Sequence, residues 1–306
     1  PEHILSTANL FQLPPYLQYG VGSAGFGAWR ELAAHVMTTN WVLGKHCETF
    51  PLLYHWRVLE VPQVDAPAPE TQAELARTVA YWHGSPAVRE RLEAIAWSSA
   101  RVVLFLEYLP QSLHEWLTAQ VASGDEAVES ACALVEHGLR RGIAFMQARG
   151  LLHFDAHFRN ILTDGRHLYF ADFGLATSSR FELSEAELTF LALHRGHDGC
   201  YTVTQLVNWL VTAFCDVGGW AERNTYIHRC AEGAVPHNGP PAAVAMISRY
   251  APIASVMNEF YRQLHLESRT TAYPVHDIDR VCAAIGFTPG FTPGGRHTRD
   301  TDAERP

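Results

Sequence analysis

Two short stretches near the middle of the chain carry oxygen-bearing side chains at a regular spacing. The first, residues 151–162, has the order His-x-Asp-x-x-x-x-Asn and contains Asp155 and Asn160. The second lies beyond a predicted turn at Asp164-Gly165 and contains Asp172 in the order Asp-Phe-Gly. Apolar residues flank the turn on both sides, so a β-hairpin brings two carboxylates and one amide together. Such oxygen ligands suit a hard cation like magnesium, and the pattern predicts a phosphotransfer site.

The composition restricts the compartment and the partners that we expect. The formal net charge of -9 offers no positive footprint for a nucleic acid or an anionic membrane surface. No apolar run approaches the roughly 20 residues that span a bilayer, and the first residues lack the pattern of a secretion signal. The six cysteines are scattered singly, without a Cys-x-x-Cys pair, which is typical of a reducing compartment. We therefore expect a cytoplasmic protein with neither a nucleic-acid nor a membrane partner.

A first lobe is predicted over residues 1–109. Gly20, Gly22 and Gly25 satisfy the pattern Gly-x-Gly-x-x-Gly, whose backbone N–H groups can approach phosphates. A glycine-rich turn before a helix accounts for the same residues. Helical spacing of apolar residues follows over 29–43, and Glu31 lies in the first turn, where the helix dipole favours a carboxylate.

The rest of this lobe is predicted to hold strands and an inserted helical region. Aromatic and aliphatic residues over 50–59 indicate a strand, and the apolar run 101–106 indicates a buried one. Between them, residues 61–98 are first rich in proline and then charged and alanine-rich, which predicts a helical insertion.

A second, mainly helical lobe is predicted over residues 110–286. Ser112 and Glu115 form a capping-box pattern at the start of a short helix. A long helix with one apolar face is expected over 126–148, and it leads directly into the site. For the rest of the chain we predict helices over 185–193 and 201–214, with a capping carboxylate at Asp198, and further helices to about 285. The residues 287–306 are predicted to be a disordered tail.

The region from about Arg101 to Asp216 resembles the protein-kinase-like fold shared by eukaryotic-type protein kinases and aminoglycoside or choline phosphotransferases. His157, two residues after Asp155, is similar to the small-molecule and haspin-like form of the catalytic loop, where most protein kinases have lysine. Asp172-Phe173-Gly174 instead resembles the metal-binding motif of protein kinases. The resemblance implies an α+β, bilobal protein-kinase-like fold with a small β-containing N-lobe and a mainly helical C-lobe.

The resemblance also implies roles for individual residues. Asp155 would orient the accepting hydroxyl, and His157 would contact the transferred phosphate. Asn160 and Asp172 would hold magnesium. Adenine of ATP would be read by backbone groups of Glu107 to Leu109, although a strand followed by a turn at Pro110 explains the same residues. His153 is expected to hold the loop against Phe173 rather than carry a proton.

The resemblance fails at the residue that anchors the ATP phosphates. Protein kinases use a lysine there, paired with a glutamate that Glu31 would match, but no lysine lies between the glycine-rich stretch and Glu31. Lys45 is the only lysine of the chain and lies after Glu31. Either Arg30, Arg57 or Lys45 replaces the missing base, or the first lobe is degenerate. Phe154 and the absence of an Ala-Pro-Glu motif further predict no activation by loop phosphorylation.

Several alternative interpretations of the site remain open from the sequence. The acceptor of an active ATP- and magnesium-dependent phosphotransferase is either a protein Ser or Thr, favoured by the Asp-Phe-Gly motif, or a small molecule such as an antibiotic, favoured by His157. A pseudokinase scaffold that transfers nothing is favoured by the missing lysine. A zinc site of His153, Asp155 and His157 would leave Asn160 and Asp172 unexplained. Isolated turn-capping roles for the aspartates would leave their ordered spacing unexplained.

Overall fold

The computed structural model describes residues 3–20, 22–61 and 69–290, and over these ranges the fold is α+β. A short 3₁₀ helix, Pro15–Tyr19, comes first. The α-helices are α1 (Ala28–Leu43), α2 (Pro69–Tyr81), α3 (Pro86–Ala96), α4 (Leu113–Ser123), α5 (Asp125–Ala148), α6 (Glu185–Leu193), α7 (His197–Phe214), α8 (Trp220–Ala231), α9 (Pro241–Leu266) and α10 (Val275–Ala284). The strands are β1 (Leu53–Glu60), β2 (Ala100–Leu106), β3 (Gln111–Ser112), β4 (Leu151–Leu152), β5 (Ile161–Thr163), β6 (Leu168–Phe170) and β7 (Thr177–Ser178).

The first third of the chain forms a two-stranded antiparallel sheet packed beside α1. Strand β1 pairs with β2 with Trp56 opposite Leu104, and Trp29 of α1 packs edge-on against Trp56 with ring centroids 6.0 Å apart. The expected strand at 50–59 starts later, at Leu53, because Phe50 is a buried core residue outside the sheet. The run 101–106 is a strand, but the prediction that it is buried is wrong, since Phe105 is 46 % exposed. A two-stranded sheet with helices against only part of it leaves much of its surface in solvent.

Helix α1 forms where the apolar spacing predicts it, and Leu32 and Trp41 of that spacing are buried. Val36 and Leu43, which share the spacing, are exposed. The buried face also carries the polar residues Arg30, His35 and Thr38. Arg30 is paired there with Glu187 and the carbonyl of Thr7, Thr38 Oγ1 donates to the carbonyl of His35, and the His35 ring packs edge-on against Phe173.

Helices α2 and α3 confirm the helical insertion and hold the segment that contains the glycines. Ser85 caps α3 by accepting a hydrogen bond from Val88 N. A small apolar cluster joins the two helices to the 3₁₀ helix and its flanks: Leu13, Leu17, Phe26, Trp82 and Val88. The first residues of the predicted insertion, 62–68, lie outside the described residues.

The largest core is helical, with α5 at its centre. The predicted apolar face of α5 is confirmed by buried Val128, Val135, Leu139 and Met146. Helices α7 and α9 pack along α5 and along each other. Where β6 crosses α5, a Cβ on Gly142 would lie 2.1 Å from the ring of Phe170. Glycine at this position therefore allows the hairpin of β5 and β6 to sit directly on α5.

Both ends of the described chain pack onto this helical body. Tyr19 is buried and its hydroxyl lies 2.6 Å from His194 Nε2. At the other end, Phe287 packs edge-on against Tyr250, and Gln147 donates to the carbonyl of Pro289. Residues 287–290 of the predicted tail thus belong to the folded part, and 291–306 lie outside the described residues. No helix in the described ranges has the length and apolar character needed to cross a membrane.

Candidate active site

The loop between β4 and β5 is held by a buried carboxylate from α7. Asp198 accepts hydrogen bonds from His153 N at 2.6 Å and from Phe154 N at 2.9 Å. The sequence predicted that Asp198 precedes α7 as its capping residue. This prediction is wrong, because α7 begins at His197 and Asp198 lies in its first turn. Burial alone would raise the pKa of Asp198, but the hydrogen bond and charge of His197 and the N–H of His153 lower it overall. The carboxylate is thereby kept ionised at the base of the loop.

His153 has the structural position that the sequence predicts. Its Nε2 atom lies 3.0 Å from the carbonyl oxygen of Ala171, and its ring lies 5.1 Å from that of Phe173. The side chain is fully buried and engaged with the Asp-Phe-Gly turn rather than with Asp155. Within the described ranges, no three His, Cys, Asp or Glu side chains are grouped as a metal site would need. The geometry therefore gives no support to the zinc alternative.

Asp155 and Asn160 are joined by their side chains. Asn160 Nδ2 donates to the backbone carbonyl of Asp155 at 3.0 Å and to its Oδ2 at 3.2 Å. This orientation leaves Asn160 Oδ1 without a hydrogen bond from any described residue. An amide oxygen and a carboxylate are thus presented together at the end of the loop.

His157 lies beside Asp155, and its hydrogen bonds define its tautomer. Its Nδ1 atom accepts from the backbone N–H groups of Arg159 and Asn160, both at 3.2 Å. The neutral ring therefore carries its proton on Nε2, which lies 3.9 Å from Asp155 Oδ1. That distance is too long for a hydrogen bond, so the N–H remains free to donate to a third group placed next to Asp155.

The β5–β6 hairpin brings Asp172 to the same place. Ile161 pairs with Phe170, and Ala171 N donates to the Asn160 carbonyl at 2.9 Å, so the ends of the two strands are held together. Asp172 follows in a left-handed conformation with φ of 60°. This turns its side chain away from buried Phe173 and leaves it exposed. The predicted turn at residues 164–165 closes the other end of the hairpin.

The carboxylates of the site repel one another. Burial raises the pKa of Asp155, and the negative charge of Asp172 raises it further. His157 and His153 lower it. Burial also raises the pKa of Glu31, with a further contribution from Asp172. Burial is the larger cause for both groups, and Asp172 adds to it in each case. A cation bound at Asp172 would oppose that addition, and Asn160 Oδ1 would be a further oxygen ligand of the kind a hard cation takes.

Glu31 has no basic partner among the described residues. Arg30 is turned away, since its guanidinium is buried 2.8 Å from Glu187 and its Nε donates to the carbonyl of Thr7. Arg57 lies on β1 and donates to His55, and Lys45 is exposed beyond the end of α1. None of the three predicted substitutes for the missing lysine pairs with Glu31.

The glycine-rich stretch lies against the catalytic loop. A Cβ on Gly20 would be 3.5 Å from Asp155 Oδ1, and one on Gly25 would be 3.1 Å from the carbonyl oxygen of Gly174. Gly22 lies further out, where Trp82 Nε1 donates to its carbonyl. All three glycines have positive φ. The stretch therefore approaches Asp155 and the Asp-Phe-Gly turn, as a phosphate-contacting loop would need to.

The predicted adenine-reading segment keeps free backbone groups. Glu107 N donates to the carbonyl of Leu52 at 2.7 Å, and Leu52 N donates to the Glu107 side chain. Leu109 N–H and the Glu107 carbonyl make no hydrogen bond with the described residues. The Leu109 N–H and the Glu107 carbonyl are thus available to a ligand, whereas the Glu107 N–H holds the end of the strand.

Two adjoining cavities open beside the catalytic loop. One of about 670 Å³ is lined by Asp155 and His157, and the other, of about 580 Å³, by His157 and Phe158. Glu107 and Leu109 line neither cavity. The wider cavity is walled by the N-terminal segment and by α7, α8 and α9, through Tyr19, Gly20, Gly22, Tyr201, Thr204, Gln205, Asn208, Trp220, Arg223, Asn224, Asn258, Tyr261, Arg262, His265 and Leu266.

Several residues of the site carry no sequence signal that identifies them. Arg223 and Tyr19 lie far from the motif in sequence and match no spacing rule. His35 packs edge-on against Phe173 at 5.0 Å, and burial lowers its pKa to about 4.

Comparison of the chain with models of known protein families finds no match. Comparison with curated proteins finds no match either.

Proposed function

We propose that this chain is a magnesium- and ATP-dependent phosphotransferase that moves the γ-phosphate of ATP to a hydroxyl of a small-molecule acceptor. The observation that carries the proposal is the convergence of Asp155, Asn160 and Asp172 at the end of one hairpin beside a cavity. Asn160 is bonded to Asp155 and keeps its Oδ1 free, and Asp172 is close enough to alter the pKa of Asp155. An acceptor-orienting carboxylate next to two oxygen ligands for magnesium is the arrangement that phosphoryl transfer requires.

The proposal includes a bilobal, protein-kinase-like architecture. The small sheet of β1 and β2 with α1 would form the N-lobe, and α4 to α10 the C-lobe. The segment 107–109 would join them and read adenine through the free Leu109 N–H and Glu107 carbonyl. The backbone of the glycine-rich stretch, which lies against Asp155 and Gly174, would contact the phosphates in place of a lysine.

In the proposed reaction the acceptor oxygen forms a bond to the γ-phosphorus while the bond to the β–γ bridging oxygen breaks. ADP leaves with that electron pair, and the hydroxyl proton passes to the Asp155 carboxylate. His157 Nε2–H donates to an oxygen of the transferred phosphoryl group. Asn160 and Asp172 would hold the magnesium ion, which would neutralise charge on the phosphates. The raised pKa of Asp155 fits a proton acceptor better than an ordinary surface aspartate does.

The surroundings of the cavity favour a small molecule over a protein acceptor. The segment after the Asp-Phe-Gly turn is covered by the N-terminal residues: Glu182 accepts from Ser6 Oγ at 2.6 Å and from Ala8 N at 3.1 Å. Tyr19 is fixed against the helical body and walls one side of the cavity. The cavity of about 670 Å³ beside Asp155 has a size typical of small-molecule sites.

A second candidate is a nucleotide-binding regulator that transfers nothing. It is favoured by Glu31, which has no cationic partner in the described part of the chain, so the lysine–glutamate pair that holds the phosphates in protein kinases has no counterpart there. The two candidates predict different outcomes once ATP is supplied.

Magnesium-dependent ATP consumption by the purified chain tests the proposal. We expect the wild type to consume ATP and Asp172→Asn to lose at least 100-fold in rate, because a ligand and a charge are removed from the magnesium site. Asp277→Asn, the same change in an exposed residue of α10, is the matched control and should keep the wild-type rate. ATP binding without consumption would support the regulator, and neither binding nor consumption would reject both.

A further inference from the structure

The two cavities beside the catalytic loop share one wall that contains an arginine. The residues common to both are His157, Tyr201, Gln205, Asn208 and Arg223. Asp155 and Arg223 therefore face the same space, the first at the loop and the second on α8. A ligand in this space that reaches Asp155 with a hydroxyl has Arg223 within the same cavity.

The ionisable residues that line these cavities are unbalanced in charge. Asp155 is the only carboxylate among the residues that line them. Three arginines line them as well: Arg159, Arg223 and Arg262. A site for a polycationic molecule, such as an aminoglycoside, needs several carboxylates around its ammonium groups. The lining residues described here therefore favour an acceptor of the opposite charge.

Of these three arginines, Arg223 alone is both partly buried and without an ion pair among the described residues. Arg262 is neutralised by Glu259 at 2.7 Å and Glu267 at 2.6 Å, and Arg159 is exposed. Arg223 makes no ion pair with any described residue, and its Nε is buried without a hydrogen-bond partner. Burial lowers the pKa of Arg223 with no nearby anion to oppose the effect. A guanidinium in this state gains stability from an anion more than a solvated one does.

Neighbouring side chains provide a polar, well-held frame around Arg223. The next residue, Asn224, has a buried Oδ1 with no hydrogen-bond partner in the described chain. On the facing helices, Asn208 and Asn258 donate to each other at 3.0 and 2.8 Å, which fixes both amides. Trp220 adds an aromatic surface. Amides and an aromatic ring beside a free guanidinium suit a hydroxylated molecule with an acidic group.

We propose that the acceptor is a hydroxylated small molecule bearing a carboxylate or similar acidic group, which Arg223 binds while a hydroxyl of the same molecule reaches Asp155. This inference rests on the proposed phosphotransferase function and names the class of its acceptor. Arg223 determines specificity through charge and makes no contact with the transferred phosphoryl group.

Three sugars of similar shape and different charge test the inference: D-glucuronate, D-glucose and D-glucosamine. The melting temperature of the protein is measured with each sugar, at equal ionic strength and without nucleotide. We expect glucuronate to stabilise the wild type and the other two to do so much less. Arg223→Gln should weaken glucuronate binding by about tenfold or more, as the loss of a charged hydrogen bond implies. Arg223→Lys, which keeps the charge, should retain part of the effect. Arg229→Gln, on the exposed side of α8, is the matched control and should bind as the wild type does.

The inference is overturned if glucose or glucosamine stabilises the wild type as much as glucuronate, or if glucuronate has no effect. It is also overturned if the effect of glucuronate survives in Arg223→Gln. The melting temperature of each variant without sugar separates a loss of binding from a loss of folding. Because no nucleotide is used, these results are independent of ATP consumption. A chain that consumes ATP and phosphorylates only neutral or basic acceptors would keep the proposed function and refute the role of Arg223.

Discussion

At Asp155, burial and Asp172 act against ionisation, while His157, His153 and Asn160 favour it. The net result is a raised pKa. The proposed phosphoryl transfer would require the carboxylate form, so its rate should fall as the pH falls through this raised pKa, at a higher pH than an ordinary aspartate would give. His157 has its Nδ1 occupied by backbone N–H groups and its Nε2 3.9 Å from Asp155 Oδ1, so the backbone of the loop holds the ring beside that carboxylate.

Asp172→Asn should lower the pKa of both Asp155 and Glu31. The substitution removes the negative charge that opposes their ionisation, so each carboxyl should lose its proton at a lower pH than in the wild type. Titration of side-chain carboxyl ¹³C resonances measures both groups directly. Magnesium should shift the same two resonances in the same direction in the wild type. An unchanged pKa of Asp155 in Asp172→Asn would mean that the two carboxylates do not interact, and Asp277→Asn should leave both values as they are.

Among the secondary-structure elements, the 3₁₀ helix and the glycine-rich stretch form one wall of the space around Asp155. They are fixed from two sides. Tyr19 packs against α6 and α9. The carbonyl of Gly22 accepts a hydrogen bond from Trp82, which follows α2, and the carbonyl of Gly25 accepts one from Arg91 of α3. The inserted helices therefore position a segment that is distant from them in sequence. This gives the insertion a direct role in the site.

Gly20→Ala should reduce magnesium-dependent ATP consumption more than Gly22→Ala. Both glycines have left-handed φ, 77° and 63°, so an alanine should destabilise either by about 1–2 kcal/mol. Only at Gly20 does the new Cβ meet the site, 3.1 Å from Leu175 Cδ1 and 3.5 Å from Asp155 Oδ1, whereas at Gly22 its nearest neighbour is Tyr81 at 3.9 Å. Rates measured alongside urea unfolding separate the two effects. Equal rates in variants of equal stability would show that the stretch does not act on Asp155.

Considered as a whole, the molecule is joined across the site by a buried ion pair. Arg30 of α1 and Glu187 of α6 lie 2.8 Å apart and are 2 % and 5 % exposed. Glu187 also accepts from Ser184 N and Oγ in the capping box of α6, and Arg30 Nε holds the carbonyl of Thr7. The pair therefore links the N-terminal segment, the helix that carries Glu31 and the segment after the Asp-Phe-Gly turn.

Arg30→Met should lower the free energy of unfolding by about 3–5 kcal/mol, because it leaves the buried Glu187 carboxylate without its counter-ion. Arg89→Met is the matched control. Arg89 lies 3.9 Å from Glu93 in a half-exposed pair on α3, and such pairs contribute about 0.5 kcal/mol or less. Urea titration followed by circular dichroism measures both. A loss in Arg30→Met no larger than that in Arg89→Met would contradict the structural importance of the pair.

Features that depend on neighbours along the chain could be predicted from the sequence. These are the hairpin of β5 and β6, the placement of Asn160 and Asp172 at its end, the capping box at Ser112 and the apolar face of α5, which all follow from local spacing and turn chemistry. The tertiary structure was needed to find the partners that are distant in sequence. It placed Asp198 under the loop, paired Arg30 with Glu187 instead of Glu31, and turned polar residues of α1 inward. It also set Arg223 in the cavity of Asp155, since periodicity records which residues share a face but not what that face meets.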